Sequence, residues 1–173
     1  LDDMDRAAAL EQQLKFEDKM DSRAAKAATK LAMAECLRFG VTSVSDLYYY
    51  PLATAEAAAE IGMKANIALS AYRYIDENEE FDFETDEQCR ELVKLVDKWH
   101  NHDGGRIKID AGIHAEYTSF PGLWKDFSAY AKENGLNMHV HLSETRSEHE
   151  NCIAKYGKTP AAVLAENGDA FAK

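Results

Sequence analysis

Asn137-Met138-His139-Val140-His141-Leu142 reads as a short strand, and the residues directly after it decide the fold. Ser143 and Glu144 lie just past its end. Thr145-Arg146-Ser147-Glu148 then has the form of a capping box, in which the Thr oxygen accepts the amide three residues on and the Glu reaches back to the Thr amide. A strand that runs straight into a capped helix is half of a βαβ unit.

The same alternation extends upstream. Residues Ser22 to Arg38 carry Ala24, Ala27, Ala28, Leu31 and Ala34 at helical spacing, with Gly40 as a stop. Val41 to Leu47 is rich in β-branched residues and short enough for a strand. Pro51 to Ile61 reads as helix closed by Gly62, and Ala65 to Ser70 as a second strand. Thr85-Asp86-Glu87-Gln88 is a second candidate capping box, opening a helix whose face is Cys89, Leu92, Val93, Val96 and Trp99. Arg106 to Asp110 reads as a third strand. Leu123, Phe127, Tyr130 and Ala131 mark a helix that ends near Asn134-Gly135, and Thr159-Pro160 starts a last one. Regular alternation of this kind implies a parallel sheet covered by helices. Only four strands are convincing, whereas a complete (β/α)8 barrel takes about 250 residues. The chain has the size of half a barrel or of a small open-sheet domain. We expect one domain over residues 1–173, with residues 1–21 as a helical lead-in and residues 22–168 as the βα units.

The chain has 31 acidic and 20 basic residues, a formal net charge of −11, so a phosphate backbone would be repelled and nucleic acid is not an expected partner. The acidic run from Asp76 to Asp86 reads as a solvated loop. Cys36, Cys89 and Cys152 are far apart and in no CxxC pattern, which argues against a disulfide framework and a thiolate zinc site and fits a cytoplasmic setting. No apolar run approaches the length of a membrane span, and no membrane partner is expected.

Ligands of parallel α/β folds gather at the carboxyl ends of the strands. Those ends carry Asp46, Tyr48 and Tyr49; Arg73; His114, Glu116 and Tyr117; and His141, Ser143 and Glu144. Neutral imidazole is the commonest metal ligand. A carboxylate three residues beyond it can move protons between a metal-activated water and a substrate. His141 with Glu144 therefore has the makings of a metal site, or of a strand-end His that is merely hydrogen-bonded. His139 shares the face of His141 by strand alternation, and a buried His satisfied by a neighbour is the preferred reading for it. His114, behind Gly112-Ile113, fits substrate contact or structure equally. His100, His102 and His149 read as structural or surface residues. No nucleophile elbow, P-loop or dinucleotide fingerprint is present.

Taken in order, Gly40 to Tyr48, Gly112 to Ser119, and His139-Val140-His141-Leu142-Ser143-Glu144-Thr145 resemble the amidohydrolase superfamily, and within it the methylthioadenosine/S-adenosylhomocysteine deaminase and chlorohydrolase branch. The tail from Gly157 to Gly168 fits the same branch. The resemblance implies an α/β fold: a partial (β/α)8 TIM-type barrel of about four parallel strands, the second to fifth of eight. It implies a metal-dependent hydrolase that breaks a C–N bond of a small heterocyclic or amidine-like molecule with metal-activated water. Zinc, or iron, is the implied cofactor. His141 matches a metal ligand, Glu144 the proton-relaying catalytic carboxylate, and His114 a substrate-binding residue; Tyr117, Arg73 and His139 are further candidates. The first-strand His-x-His, the sixth-strand His and the eighth-strand Asp of the superfamily have no counterpart here. The arginine that its deaminases carry on the third strand falls at Leu69, with Arg73 nearby. From these departures we expect an internal fragment that is itself inactive. Open sheet edges and uncovered apolar surface would favour a homo-oligomer. A non-catalytic α/β domain acting by self-association is the alternative.

Overall fold

Short segments rich in Val, Ile and Ala, each bounded by turn-forming residues, make the strands of the chain. The structure is a computed structural model that describes residue 13 and residues 15–72 and 81–168. β1 spans Ser43–Tyr48, β2 Lys64–Leu69, β3 Ile107–Gly112 and β4 Met138–His139. They form one parallel sheet in the order β1-β2-β3-β4. Each crossover therefore steps in the same direction, and right-handed crossovers then place every connecting helix on one face of the sheet. A reversal of strand order would have split the helices between two faces. The four strands and their helices thus wind as a half-barrel, the architecture expected from the alternation.

The helices are α1 (Ser22–Arg38), α2 (Pro51–Ile61), α3 (Glu87–Trp99), α4 (Pro121–Asn134), α5 (Arg146–Tyr156) and α6 (Pro160–Asn167). Ala65, Ile67 and Leu69 of β2 and Ile107, Ile109 and Ala111 of β3 turn toward them and are buried. They meet Ala55 and Ala58 of α2, Leu92 and Leu95 of α3, and Leu123, Trp124 and Phe127 of α4 in one core. The alanines of α2 have no long side chain to hold it away from the sheet. Gly62 ends α2 in the left-handed conformation (φ 78°), as its position predicts.

Alternate residues point the other way, and that face is polar toward the start of the strands, with Leu47 and Ala68 near their ends. Ser45, Lys64 and Lys108 are exposed on it, and Asp110 is buried. The Asp110 carboxylate accepts hydrogen bonds from Asn66 Nδ2 and from Asn137 Nδ2, the latter at 3.3 Å. One carboxylate thereby ties β2 and the entry to β4 onto β3. The apolar surface that a half-barrel was expected to expose lies elsewhere, at Leu31, Phe39 and Val41 beside β1.

The structure departs from the sequence pattern at two places. The cap of α3 is Asp86, not Thr85: its Oδ1 accepts from the Gln88 and Cys89 amides at 2.9 and 3.1 Å. A carboxylate at a helix N-terminus also gains from the helix dipole, which a hydroxyl does not. Thr85 bonds back to Asp82 instead, and Gln88 Oε1 accepts the Tyr72 amide at 3.1 Å. The pattern predicts a fourth strand over Asn137–Leu142, but only Met138 and His139 pair as regular strand. Among the described residues β4 has a partner on one side alone, so it persists only as long as β3 does. Arg73 and residues 76–80 of the acidic run lie outside the described residues.

Gly112 marks where β2 and β3 press closest. A Cβ there would lie 2.8 Å from Ala68 Cβ and from Leu47 Cδ1, and against the Leu69 carbonyl oxygen. Backbone cannot yield as a flexible side-chain tip can. Gly112→Ala should therefore cost about 1–3 kcal/mol of stability or more, read as a lower urea midpoint; an unchanged midpoint would refute the close approach.

Candidate active site

The chain ends of β2, β3 and β4 are stitched together by main-chain bonds beyond the regular strands. The His114 amide donates to Ala71 O at 2.6 Å, the Ile113 amide to His139 O at 3.1 Å, and the His141 amide to His114 O at 2.9 Å. Two histidines that are distant in sequence thus sit on adjacent strand ends. Their rings meet edge to face, 5.2 Å between centroids and 81° between planes. Tyr117 stands edge-on to His114 at 5.9 Å.

His114 is half-buried and held. Its Nδ1 lies 3.0 Å from Thr118 Oγ1, and that hydroxyl also lies 3.1 Å from both the amide and the carbonyl of Ala115. Ser119 Oγ donates to the same carbonyl at 2.6 Å and accepts from Trp124 Nε1 at 2.7 Å, which fixes the turn to α4. Burial, then the neighbouring His141, pushes the His114 imidazole below the ordinary histidine value of 6.5, against the opposing pull of Glu144 and Glu148. The ring is therefore neutral at pH 7, able to donate from one nitrogen and accept on the other. It lines a cleft of about 560 Å³ with Tyr49, Tyr50, Ser70, Tyr72 and Thr118.

His141 and Glu144 are exposed on the turn between β4 and α5. Ser143 between them is left-handed at φ 50°, a conformation uncommon for a residue with a side chain. It swings three successive amides onto Glu148. Glu148 Oε1 accepts from Ser143 at 2.9 Å, and Oε2 from Glu144 at 2.6 Å and Thr145 at 3.2 Å, while Thr145 Oγ1 accepts from the Glu148 amide at 3.1 Å. The capping box read from sequence is present, and Glu148 reaches two residues further than a box requires.

Glu116 follows His114 in a 3-10 turn and is buried against Glu148. Burial, then the hydrogen bond with Glu148, pushes its carboxyl up to about 7. Sequence places Glu116 at a strand end and offers it no partner; its contact with Glu148, thirty-two residues on, has no local signature. The same holds for Thr118 on His114. His139 is half-buried and kept low by burial, with Asp110 pulling the other way, which suits a neutral structural imidazole. His100 is structural: the Ile109 amide donates to its Nδ1 at 3.2 Å.

Zinc sites use three or four protein ligands. Among the described residues no three His, Cys, Asp or Glu side chains come together in this way. His141 fits the part of one ligand, and the described residues do not complete a set around it.

The Glu116 shift has a consequence for stability. Between pH 4.5, its ordinary value, and about 7 the folded chain holds a proton that the unfolded chain has released. Unfolding free energy should fall as pH rises through this window and level off above it. Glu116→Gln should flatten that slope in denaturant titrations at several pH values; an identical slope in both proteins would contradict the assignment.

The pattern that defines the amidohydrolase family matches residues 3–169. The chain is 34% identical over 139 residues to 5-methylthioadenosine/S-adenosylhomocysteine deaminase of Thermoanaerobacter pseudethanolicus, covering 80% of this chain and 31% of that protein. It is 35% identical over 140 residues to 5'-deoxyadenosine deaminase of Methanoregula boonei, covering 81% and 30%. It spans about a third of the length of the curated relatives it matches. Among solved structures, an adenosine deaminase from Xanthomonas campestris with bound zinc superposes with a TM-score of 0.83 at 24% identity, over 95% of this chain and 37% of that one. Atrazine chlorohydrolase from Arthrobacter aurescens, complexed with zinc, gives 0.80 at 22% identity, over 95% and 41%.

Proposed function

The chain belongs to the amidohydrolase family, and on that premise we propose that it supplies the His114, His141 and Glu144 portion of a metal-dependent hydrolase of deaminase type. The substrate is a small heterocyclic or amidine-like molecule, and the bond broken is C–N. One observation carries the reading: two imidazoles from neighbouring strands meet at 5.2 Å on the carboxyl edge of the sheet, one of them lining a cleft and the other followed by a carboxylate three residues on.

Each residue has a definite task in this reading. His141 offers an imidazole to a divalent metal, zinc or iron. When bound, such a metal brings the pKa of a water near 7 and polarises the group under attack. Glu144 takes the proton of the attacking water and returns it to the departing nitrogen. His114, neutral and braced by Thr118, hydrogen-bonds the substrate. Tyr117 limits how a flat ring can lie against His114. The relatives are named for adenine-containing substrates. The resemblance puts the third-strand arginine of the superfamily's deaminases at Leu69, which here lines the cleft; this supports a substrate without a gripped ribose. The edge strands β1 and β4, paired on one side among the described residues, and the exposed Leu31, Phe39 and Val41 support self-association, which light scattering of the chain would test by showing a dimer rather than a monomer.

Glu144→Gln in the full-length protein should lower turnover by about 100- to 10,000-fold while metal content stays the same, measured by steady-state kinetics and elemental analysis; retained turnover rejects the role. The 173-residue chain alone should keep no stoichiometric zinc after dialysis and should not turn over substrate. One tightly held zinc per chain would overturn that expectation.

A further inference from the structure

Glu148 is 6% exposed and Glu116 is 3% exposed. They lie on different segments: Glu116 in the turn after β3, two residues past His114, and Glu148 in the first turn of α5. Glu148 accepts the amides of Ser143, Glu144 and Thr145, the whole turn that carries Glu144. The turn bearing Glu116 packs against α5, which brings the two buried carboxyls together. Two carboxylates in such a site cannot both be ionised. Three amide donors engage Glu148, and burial raises the Glu116 carboxyl, which is the one that holds the proton.

We infer that Glu116 and Glu148 are positioning residues, a buried carboxyl pair that clamps the strand end bearing His114 to the turn bearing Glu144. The clamp explains how a left-handed Ser143 is held, since a turn in a sparsely populated conformation persists only when its surroundings fix it. The inference rests on the reading of His114 and Glu144 as working groups in so far as it concerns catalysis. The titratable groups facing the pair are His114 at the end of β3 and Cys152 of α5, with Lys155 beyond it.

Amide hydrogen exchange of the 173-residue chain, measured by NMR at several pH values, tests the clamp without needing activity. The Ser143, Glu144 and Thr145 amides should be protected below pH 7 and lose protection, relative to the β2 and β3 amides, as Glu116 ionises above it. Glu148→Ala should reduce protection at these three amides by about tenfold or more. Glu116→Ala should do the same, and Glu116→Gln, which still donates to Glu148, should restore protection and abolish its pH dependence. If Glu148→Ala does not fold, the two Glu116 variants decide alone. Protection that is the same in Glu116→Ala, Glu116→Gln and the parent chain would overturn the clamp. In the full-length protein, Glu116→Gln should move the alkaline limb of the kcat profile to higher pH with little change in KM. An intact exchange result with full turnover in Glu144→Gln would leave the clamp standing and reject the catalytic reading instead.

Discussion

Two adjacent parallel strands cannot be joined by a tight turn; the chain must cross back over the sheet, and it does so with one hand. Everything else in this half-barrel depends on that constraint. Because β1 to β4 run in sequence order, every crossover helix falls on one face, and every strand ends at the same edge. His114 and His141, twenty-seven residues apart, become neighbours for this reason. The cleft lined by Tyr49, Leu69 and His114 opens where three strand ends converge.

The constraint also divides the sheet chemically. Side chains of Ile67, Ile109 and Ala111 go under the helices, where burying aliphatic surface stabilises the fold by roughly 1.5–3 kcal/mol for each large side chain. The alternate positions carry Ser45, Asn66, Lys108 and Asp110. Asp110, buried between Asn66 and Asn137, exchanges water for two amide donors, which is the condition on which a buried carboxylate is tolerated. Gly112 then lets β3 approach β2 where the strands end, just below His114.

Around the candidate site, burial sets protonation. His114 is lowered and Glu116 raised, so a base that would otherwise charge near neutrality stays neutral, and an acid keeps its proton well above the ordinary carboxylate range. Both changes remove charge from the wall between the ends of β3 and β4. Glu148 accepts three successive amides of the turn after β4. The exposed Glu144 stands on a turn whose backbone is thereby fixed, although its own side chain faces solvent.

Sequence alone determined the elements whose signals are local. Helix α2 runs over the predicted Pro51–Ile61, because Pro at its start and a left-handed Gly62 at its end act within one turn. Thr145 and Glu148 cap α5 as their spacing requires. The order of strands and helices, and with it the carboxyl edge where His114, His141 and Glu144 gather, was legible for the same reason. Tertiary structure decided what depends on partners far along the chain. The fourth strand shrank to Met138–His139 because strand pairing needs a neighbour, and only β3 is there among the described residues. Asp86 rather than Thr85 caps α3, since competing acceptors one residue apart are ranked by where the backbone turns. Glu116 meets Glu148, and Thr118 meets His114, through the packing of the β3 turn against α5 and of the turn upon itself. A buried carboxyl pair has no pattern in a sequence, because it arises from distance and burial, which exist only once the chain is folded.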